Sequence, residues 1–219
     1  MIGTAFSLLI GLMALSLPVA AALGIMAYIL SQKYAFFPLT GALGELAWNS
    51  SNDFILIAAP MFIMMGELMH RSGMSERLFG ALAPWFARIP GRLIHTNIAA
   101  SAIFAATSGS SVATAATIGT VAIPNMDKGG YNRPLFLGSI AAGGTLGILI
   151  PPSINMIIYA VLTDTSVAQL YAAGFIPGFM LAGLFSLTVF AVAIWRPKLA
   201  GPAVDTAGLW PQRMAGLKH

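Results

Sequence analysis

At 219 residues the chain is long enough for one compact domain, but only 8% of it is charged and 58% is hydrophobic, where a soluble globular chain carries about 25% charged residues. The formal net charge of +4 and the isoelectric point near 9.7 come from Lys and Arg scattered singly, and a nucleic-acid partner is excluded because phosphate neutralisation needs clustered cations. The absence of cysteine excludes disulfides, thiolate metal sites and cysteine nucleophiles, and the solvent expected for this composition is a lipid bilayer.

The charges leave uncharged stretches at 1–32, 54–66, 93–126, 134–163 and 165–195, to be judged against the roughly 20 apolar residues that cross a hydrocarbon core of about 30 Å. Residues 1–32 carry no positive charge and exceed the apolar region of a signal peptide, so a retained membrane segment is expected there. It counts as one crossing, or as two short helices if Pro18 divides it. Residues 54–69 cross next, with Pro60 as a kink and Glu67 at the interface, snorkelling or pairing with His70 and Arg71 one turn away. The methionines Met61, Met64, Met65 and Met69 read as packing. Between Ser72 and Pro90, apolar residues interleave with Glu76, Arg77 and Arg88, the pattern of a helix lying in the membrane interface.

Residues 93–126 are too many for one crossing and too few for two with a turn. Two arms of about 15 residues reach about 22 Å, which predicts a re-entrant helical hairpin whose tip is the turn-forming cluster Thr107-Ser108-Gly109-Ser110-Ser111. Charge distribution agrees. Arg71, Arg77, Arg88 and Arg92 precede the hairpin, Lys128 and Arg133 follow it, and Arg196 and Lys198 close the last stretch, so these eight fall on the cytoplasmic face and Lys33 alone on the other. Residues 134–163 then cross outward to a solvated Asp164, and 165–195 return. From Pro197 onward a polar, Pro/Gly-rich tail is expected to be disordered or loosely attached.

Two constellations carry candidate chemistry. At the hairpin tip, irregular backbone at membrane depth survives only where protein or an aqueous cavity satisfies it. The arm ending near Thr107 presents carbonyls and the arm starting near Ser111 presents amides, so a cation and a carboxylate fit side by side. Close packing through small residues is the alternative. In the middle of 134–163, Pro151 and Pro152 supply no amide hydrogen, which frees the carbonyls of Gly147 and Ile148. With Thr145, Ser153 and Asn155 these carbonyls form an all-oxygen donor set suited to sodium and to no soft metal; a proline kink steadied by its neighbours is the alternative. The histidines His70, His95 and His219 do not supply a base at depth, and no Gly-x-Ser-x-Gly elbow surrounds Ser108 to Ser111, so a serine hydrolase is excluded. His95 reads as interfacial. A channel stays open, since re-entrant loops also build filters.

Several ordered motifs give these features a family likeness: LPVAAALGIMAYIL near the start, APMFIMMGELMHRSGMSERLF at 59–79, SGSSVATAATIGTVAIPNMDKGGY at 108–131 and GGTLGILIPPSINMIIYAVLTDTSVAQLYAAGFIPG at 143–178. Over about residues 1–200 the chain resembles the large membrane subunit of the tripartite ATP-independent periplasmic (TRAP) transporters. The resemblance implies an all-α membrane protein, a helical bundle with a re-entrant hairpin and a broken transmembrane helix, corresponding to one inverted repeat of an elevator-type transporter. It implies scaffold helices and an interfacial arm in 1–92, a transport region in 93–163 and a further transmembrane helix in 164–196. It also implies sodium-driven import of organic acids such as C4-dicarboxylates, sugar acids or keto acids across the inner membrane, with a small four-helix membrane subunit and a periplasmic substrate-binding protein as partners.

No cofactor is implied beyond sodium as the coupling ion. The family's sodium site maps onto Ser108, Gly109, Ser110, Ser111, Thr145, Gly147, Pro152, Ser153 and Asn155, and the substrate carboxylate onto Ser110, Ser111 and Thr114. The family's large subunit has two such repeats, whereas this chain carries one and its tail after Arg196 departs from the pattern. The expectation is therefore a truncated form, inactive in transport unless another chain supplies the second repeat.

Overall fold

The computed structural model describes residues 1–36, 39–52 and 54–201. Every regular element among them is helical, and they form two compact units, Met1–Asp53 and Phe54–His219.

In the first unit, α1 (Ile2–Ala14) and α2 (Val19–Tyr34) flank a break in which Ser16 has φ 58° and Pro18 serves as the N-cap of α2. A hydrogen bond of 3.1 Å from the Thr4 hydroxyl to the Tyr34 hydroxyl joins the start of α1 to the end of α2, so the two run antiparallel. Pro18 does divide the segment, and the count of a single crossing for 1–32 is corrected accordingly. A short 3-10 turn (Leu39–Gly41) and α3 (Leu43–Ser51) complete the unit.

The second unit opens with a 3-10 turn (Phe54–Ile57) running into α4 (Ala58–Arg71). Pro60 falls in the first turn of α4, where no intrahelical amide donor is required. The expected kink is therefore replaced by a change of helix type just upstream. Glu67 and Arg71 pair at 2.6 Å on an exposed face, the local pairing expected of them. After Gly73, which is left-handed at φ 71°, α5 (Met74–Phe86) packs on the hairpin helices through Phe79.

The hairpin itself is α6 (Leu93–Ser108) and α7 (Ser111–Lys128), joined by Gly109 and Ser110. Then come α8 (Arg133–Leu149), the break Ile150–Ser153 with a cis Pro151–Pro152 peptide, α9 (Ile154–Thr163) and the long α10 (Val167–Trp195). Phe54–Arg71, Arg133–Thr163 and Val167–Trp195 are long and apolar enough to cross a membrane. The chain is an all-α membrane protein.

The core lies among α6, α7 and α8, around Ile98, Phe104, Ile118, Phe136, Leu146 and Ile150. Small residues set the register. Asn97 meets Ser139, and a Cβ on Gly143 would sit 2.5 Å from the Ser101 hydroxyl, so α6 and α8 run parallel with a four-residue step. On the other side of α8, Gly144 touches Ala115 and Gly119 touches Ile140, so α7 runs antiparallel.

Along α10, Gly174 and Gly178 pack against Leu149 and Ile150 at the break, Ser186 meets His95, and Val189 meets Gly91. Beyond it, Gly201 stacks on the Tyr131 ring, Arg92 donates to the Gly201 carbonyl oxygen (3.3 Å), and the Leu93 amide reaches the Tyr131 hydroxyl (3.5 Å). The two outer ends of the hairpin, the start of α8 and the end of α10 therefore gather at one end of the unit. The tip and the break lie about 20 Å from that end by helix rise, and α9 and the first turns of α10 continue past them. The tail from residue 202 lies outside the described residues.

Candidate functional site

The site is built where two interrupted helices meet. α6 terminates because Gly109 takes the left-handed conformation (φ 60°), and α7 restarts because the Ser110 hydroxyl accepts from the Ala113 amide (3.3 Å) as an N-cap. α8 stops at Leu149 because the two following prolines have no amide to donate to the Gly147 and Ile148 carbonyls. The interruptions are joined by a backbone hydrogen bond in which the Ile154 amide, opening α9, donates to the Gly109 carbonyl oxygen (3.2 Å).

Two glycines make this approach possible. A Cβ on Gly109 would lie 2.9 Å from the Pro152 carbonyl oxygen, and one on Gly147 would lie 2.7 Å from the carbonyl carbon and oxygen of Ser110. The backbone of α8 thus sits directly on the hairpin turn, and the partial negative end of α6 faces the partial positive ends of α7 and α9.

Of the residues singled out in the sequence, Ser108, Gly109, Ser110, Ser111, Gly147, Pro152 and Ser153 converge here. Inside the tip, the hydroxyls of Ser108 and Thr114 are 3.0 Å apart, and Thr114 donates to the Ser110 carbonyl oxygen (2.7 Å). Thr114, 0% exposed, thereby ties the turn from within. Two members stand apart: Thr145 is exposed and bonds back to the Ala142 carbonyl (2.7 Å), and Asn155 is exposed on α9.

A hard cation suits what remains. The Ser153 hydroxyl is fully buried and, among the described residues, has no hydrogen-bond partner, and it belongs to the same break whose prolines cannot donate to the Gly147 and Ile148 carbonyls. A buried hydroxyl with no partner is costly in an apolar surround unless something polar engages it. Among the described residues no group of three or more His, Cys, Asp or Glu gathers to hold a metal ion.

The family model for the tripartite ATP-independent periplasmic transporter, DctM component, matches residues 6–217. The chain belongs to that family. Among curated relatives, the C4-dicarboxylate TRAP transporter large permease protein DctM of Pseudomonas aeruginosa is 38% identical over 158 residues, covering 72% of this chain and 37% of its own length. The protein of the same name from Rhodobacter capsulatus is 33% identical over 218 residues, covering 93% and 49%. The ectoine TRAP transporter large permease protein TeaC of Halomonas elongata is 31% identical over 216 residues, covering 96% and 48%. The chain thus spans less than half the length of these relatives.

As a DctM-family member the chain is a multi-pass membrane protein of a transport permease family, not an enzyme. The family match continues through the tail to residue 217, which corrects the expectation that the sequence leaves the pattern after Arg196.

Sequence reasoning missed three side chains that bind the hairpin to its surroundings. His70 Nδ1 of α4 lies 3.1 Å from the Thr117 hydroxyl of α7. His95, placed at the interface by sequence, is 3% exposed and wedged against protein. Its Nε2 is 2.9 Å from the Pro90 carbonyl and so carries the proton, which leaves Nδ1 to accept from the Ser186 hydroxyl (3.3 Å). Asn97 donates from Nδ2 to the Ser139 hydroxyl (2.9 Å) in the core. The apolar neighbours of Asn97 and His95 in the sequence were a signal that these polar residues needed protein partners.

Proposed function

We propose that this chain forms part of the permease of a sodium-coupled secondary transporter that imports organic acids across the inner membrane. C4-dicarboxylates, sugar acids or keto acids are the substrate class, handed over by a periplasmic binding protein, and a small four-helix membrane subunit is the partner within the bilayer. The observation that carries the reading is the bond between the two interrupted helices, Ile154 amide to Gly109 carbonyl, with the buried Ser153 hydroxyl beside it.

The hairpin enters and leaves the bilayer on one face, and its tip reaches mid-depth together with the break between α8 and α9. Sodium is held by the tip and break oxygens, and the donor set to be tested is Ser108, Gly109, Ser110, Ser111, Thr145, Gly147, Pro152, Ser153 and Asn155. Its charge offsets that of a substrate carboxylate received by the start of α7, where Ser110, Ser111 and Thr114 stand. Compensated charge lets the loaded region cross a medium that penalises net charge heavily.

The test is a sodium titration of thermal stability on the purified protein, with potassium as the ionic-strength control, beside uptake of labelled acids into vesicles with and without added binding protein. Stabilisation by sodium alone is expected, weakened by the double substitution Ser110→Ala and Ser111→Ala; uptake is expected only where another chain supplies the second repeat, and then only with the binding protein. Uptake indifferent to the binding protein would place the chain with permeases that work without one, and single-channel conductance would make it a channel.

A further inference from the structure

The turn between α6 and α7 holds a short chain of hydroxyls whose protons can be placed one by one. Thr114 approaches the Ser110 carbonyl oxygen twice, with its amide at 3.0 Å and with its hydroxyl at 2.7 Å. A carbonyl oxygen has two lone pairs, so Thr114 occupies both, and its single hydroxyl proton is committed there. The Thr114 oxygen then accepts from the Ser108 hydroxyl, 3.0 Å away. The Ser108 proton points at Thr114 because its alternative acceptor, the Ser110 carbonyl, is 3.5 Å distant and already filled.

This order leaves the lone pairs of Ser108 for another partner, since the Ser110 amide reaches them only at 3.5 Å, the limit of a hydrogen bond. Ser108 is 1% exposed and Thr114 0%, and Thr114 lies too deep for a substrate carboxylate to reach. From the outside, α4 closes on the same side chain: a Cβ on Gly66 would lie 3.2 Å from the Ser108 Cβ. Ser108 is thus held at its carbon by α4 and at its proton by α7.

We propose that Thr114 is a positioning residue for the cation site: it turns the Ser108 hydroxyl so that the proton faces α7 and the lone pairs are free for a hard cation. This rests on the sodium-site reading above, and it moves Thr114 from contact with the carboxylate to support of an ion ligand. A hydroxyl ligates a cation through its oxygen and must direct its proton elsewhere; a fixed acceptor for that proton removes the reorientation from the binding step. Because Thr114 passes its own proton to the Ser110 carbonyl, the chain is polarised in one direction, which strengthens the Ser108 oxygen as a donor to the ion. Thr114 itself does not touch the ion.

The experiment is sodium binding to the purified protein, read from sodium-dependent thermal stabilisation with potassium holding ionic strength constant. The proteins compared are the wild type, Thr114→Val, Thr114→Ser, Ser108→Ala, the double variant Thr114→Val with Ser108→Ala, and Ile118→Val. Thr114→Val removes the hydroxyl and leaves the Ser110 carbonyl its amide donor. It is expected to raise the half-saturating sodium concentration about fivefold, the size of effect that loss of one modest hydrogen bond carries. Thr114→Ser restores the hydroxyl and should return that concentration close to the wild-type value, while Ser108→Ala should weaken binding at least as much as Thr114→Val.

Because Thr114 acts through Ser108, the double variant should bind sodium no more weakly than Ser108→Ala alone. Ile118→Val, a packing change in the core one turn further along α7, should lower stability and leave sodium affinity intact. Wild-type affinity in Thr114→Val or Ser108→Ala, an equal loss in Thr114→Ser, or multiplied losses in the double variant would overturn the positioning role and leave the sodium site standing. A wild type indifferent to sodium would overturn the sodium site and this role together.

Discussion

Two apolar helices of this protein, α6 and α10, look interchangeable by composition and are opposites in the structure. In α6, ten of sixteen residues are buried, and His95, Thr96, Asn97, Ser101 and Ser108 are among them. In α10, four of twenty-nine are buried, three of them Gly or Ala, while Phe179, Leu187 and Trp195 project outward. A helix whose polar residues are enclosed by protein does not need lipid to tolerate it, whereas one that shows Phe and Leu outward needs an apolar solvent. The contrast teaches that apolar content marks membrane segments, while the location of buried polar groups marks the segment that builds the site.

The sharpest way to break this comparison is topological. Since the chain has no cysteine, single-cysteine variants report cleanly. Arg88→Cys and Lys128→Cys should react with a membrane-impermeant thiol reagent from the same side of the membrane, and Thr163→Cys from the opposite side, an all-or-none difference. Arg88 and Lys128 labelling from opposite sides would make the hairpin a crossing and remove its distinction from α10.

Next in size is the contact of α8 with the tip. Gly147→Val places side-chain atoms where the Ser110 carbonyl already lies, and overpacking of this kind costs about 1–3 kcal/mol, more if the backbone cannot shift. Thermal unfolding in detergent should show the loss, and the sodium response should fall with it. Gly183→Ala in α10, where nothing lies within 4 Å, should stay within about 0.5 kcal/mol. Equal losses at the two glycines would mean that the tip contact is no tighter than the outer face of α10.

Much of this was legible in advance because punctuation in the sequence is chemical. Gly109 with its flanking serines, and Pro151 with Pro152, interrupt helices by steric and hydrogen-bonding necessity, so the positions of both breaks could be read directly. That the breaks join through Ile154 and Gly109 could not, since a backbone bond leaves no mark on residue identity. Pro60 shows the converse limit. A proline is informative only relative to the helix start, and that start was set by a preceding 3-10 turn with no sequence signal of its own. Thr145 and Asn155 have suitable oxygens by type, but the helical phase puts both on exposed faces, and phase beside a break is not recoverable from spacing.

The smallest expected effect tests the buried polar groups themselves. Asn97→Ala removes the donor to Ser139 in a fully buried position, at an expected cost of about 1 kcal/mol, because the Ser139 hydroxyl loses the bond it accepts and keeps only the one it donates to the Phe136 carbonyl. Thr188→Ala in α10 also deletes a hydrogen bond, but the lost partner is the Leu184 carbonyl of its own helix on an exposed face. That carbonyl keeps its helical amide donor, so a change below about 0.5 kcal/mol is expected. Unfolding measured for both variants in the same detergent decides the matter: similar small losses would mean that Asn97 is dispensable and that burial of polar groups in α6 is incidental. A larger loss at Asn97 alone means that α6 is held to α8 by polar contacts, as a helix must be when hydrophobic attraction between segments is weak in lipid.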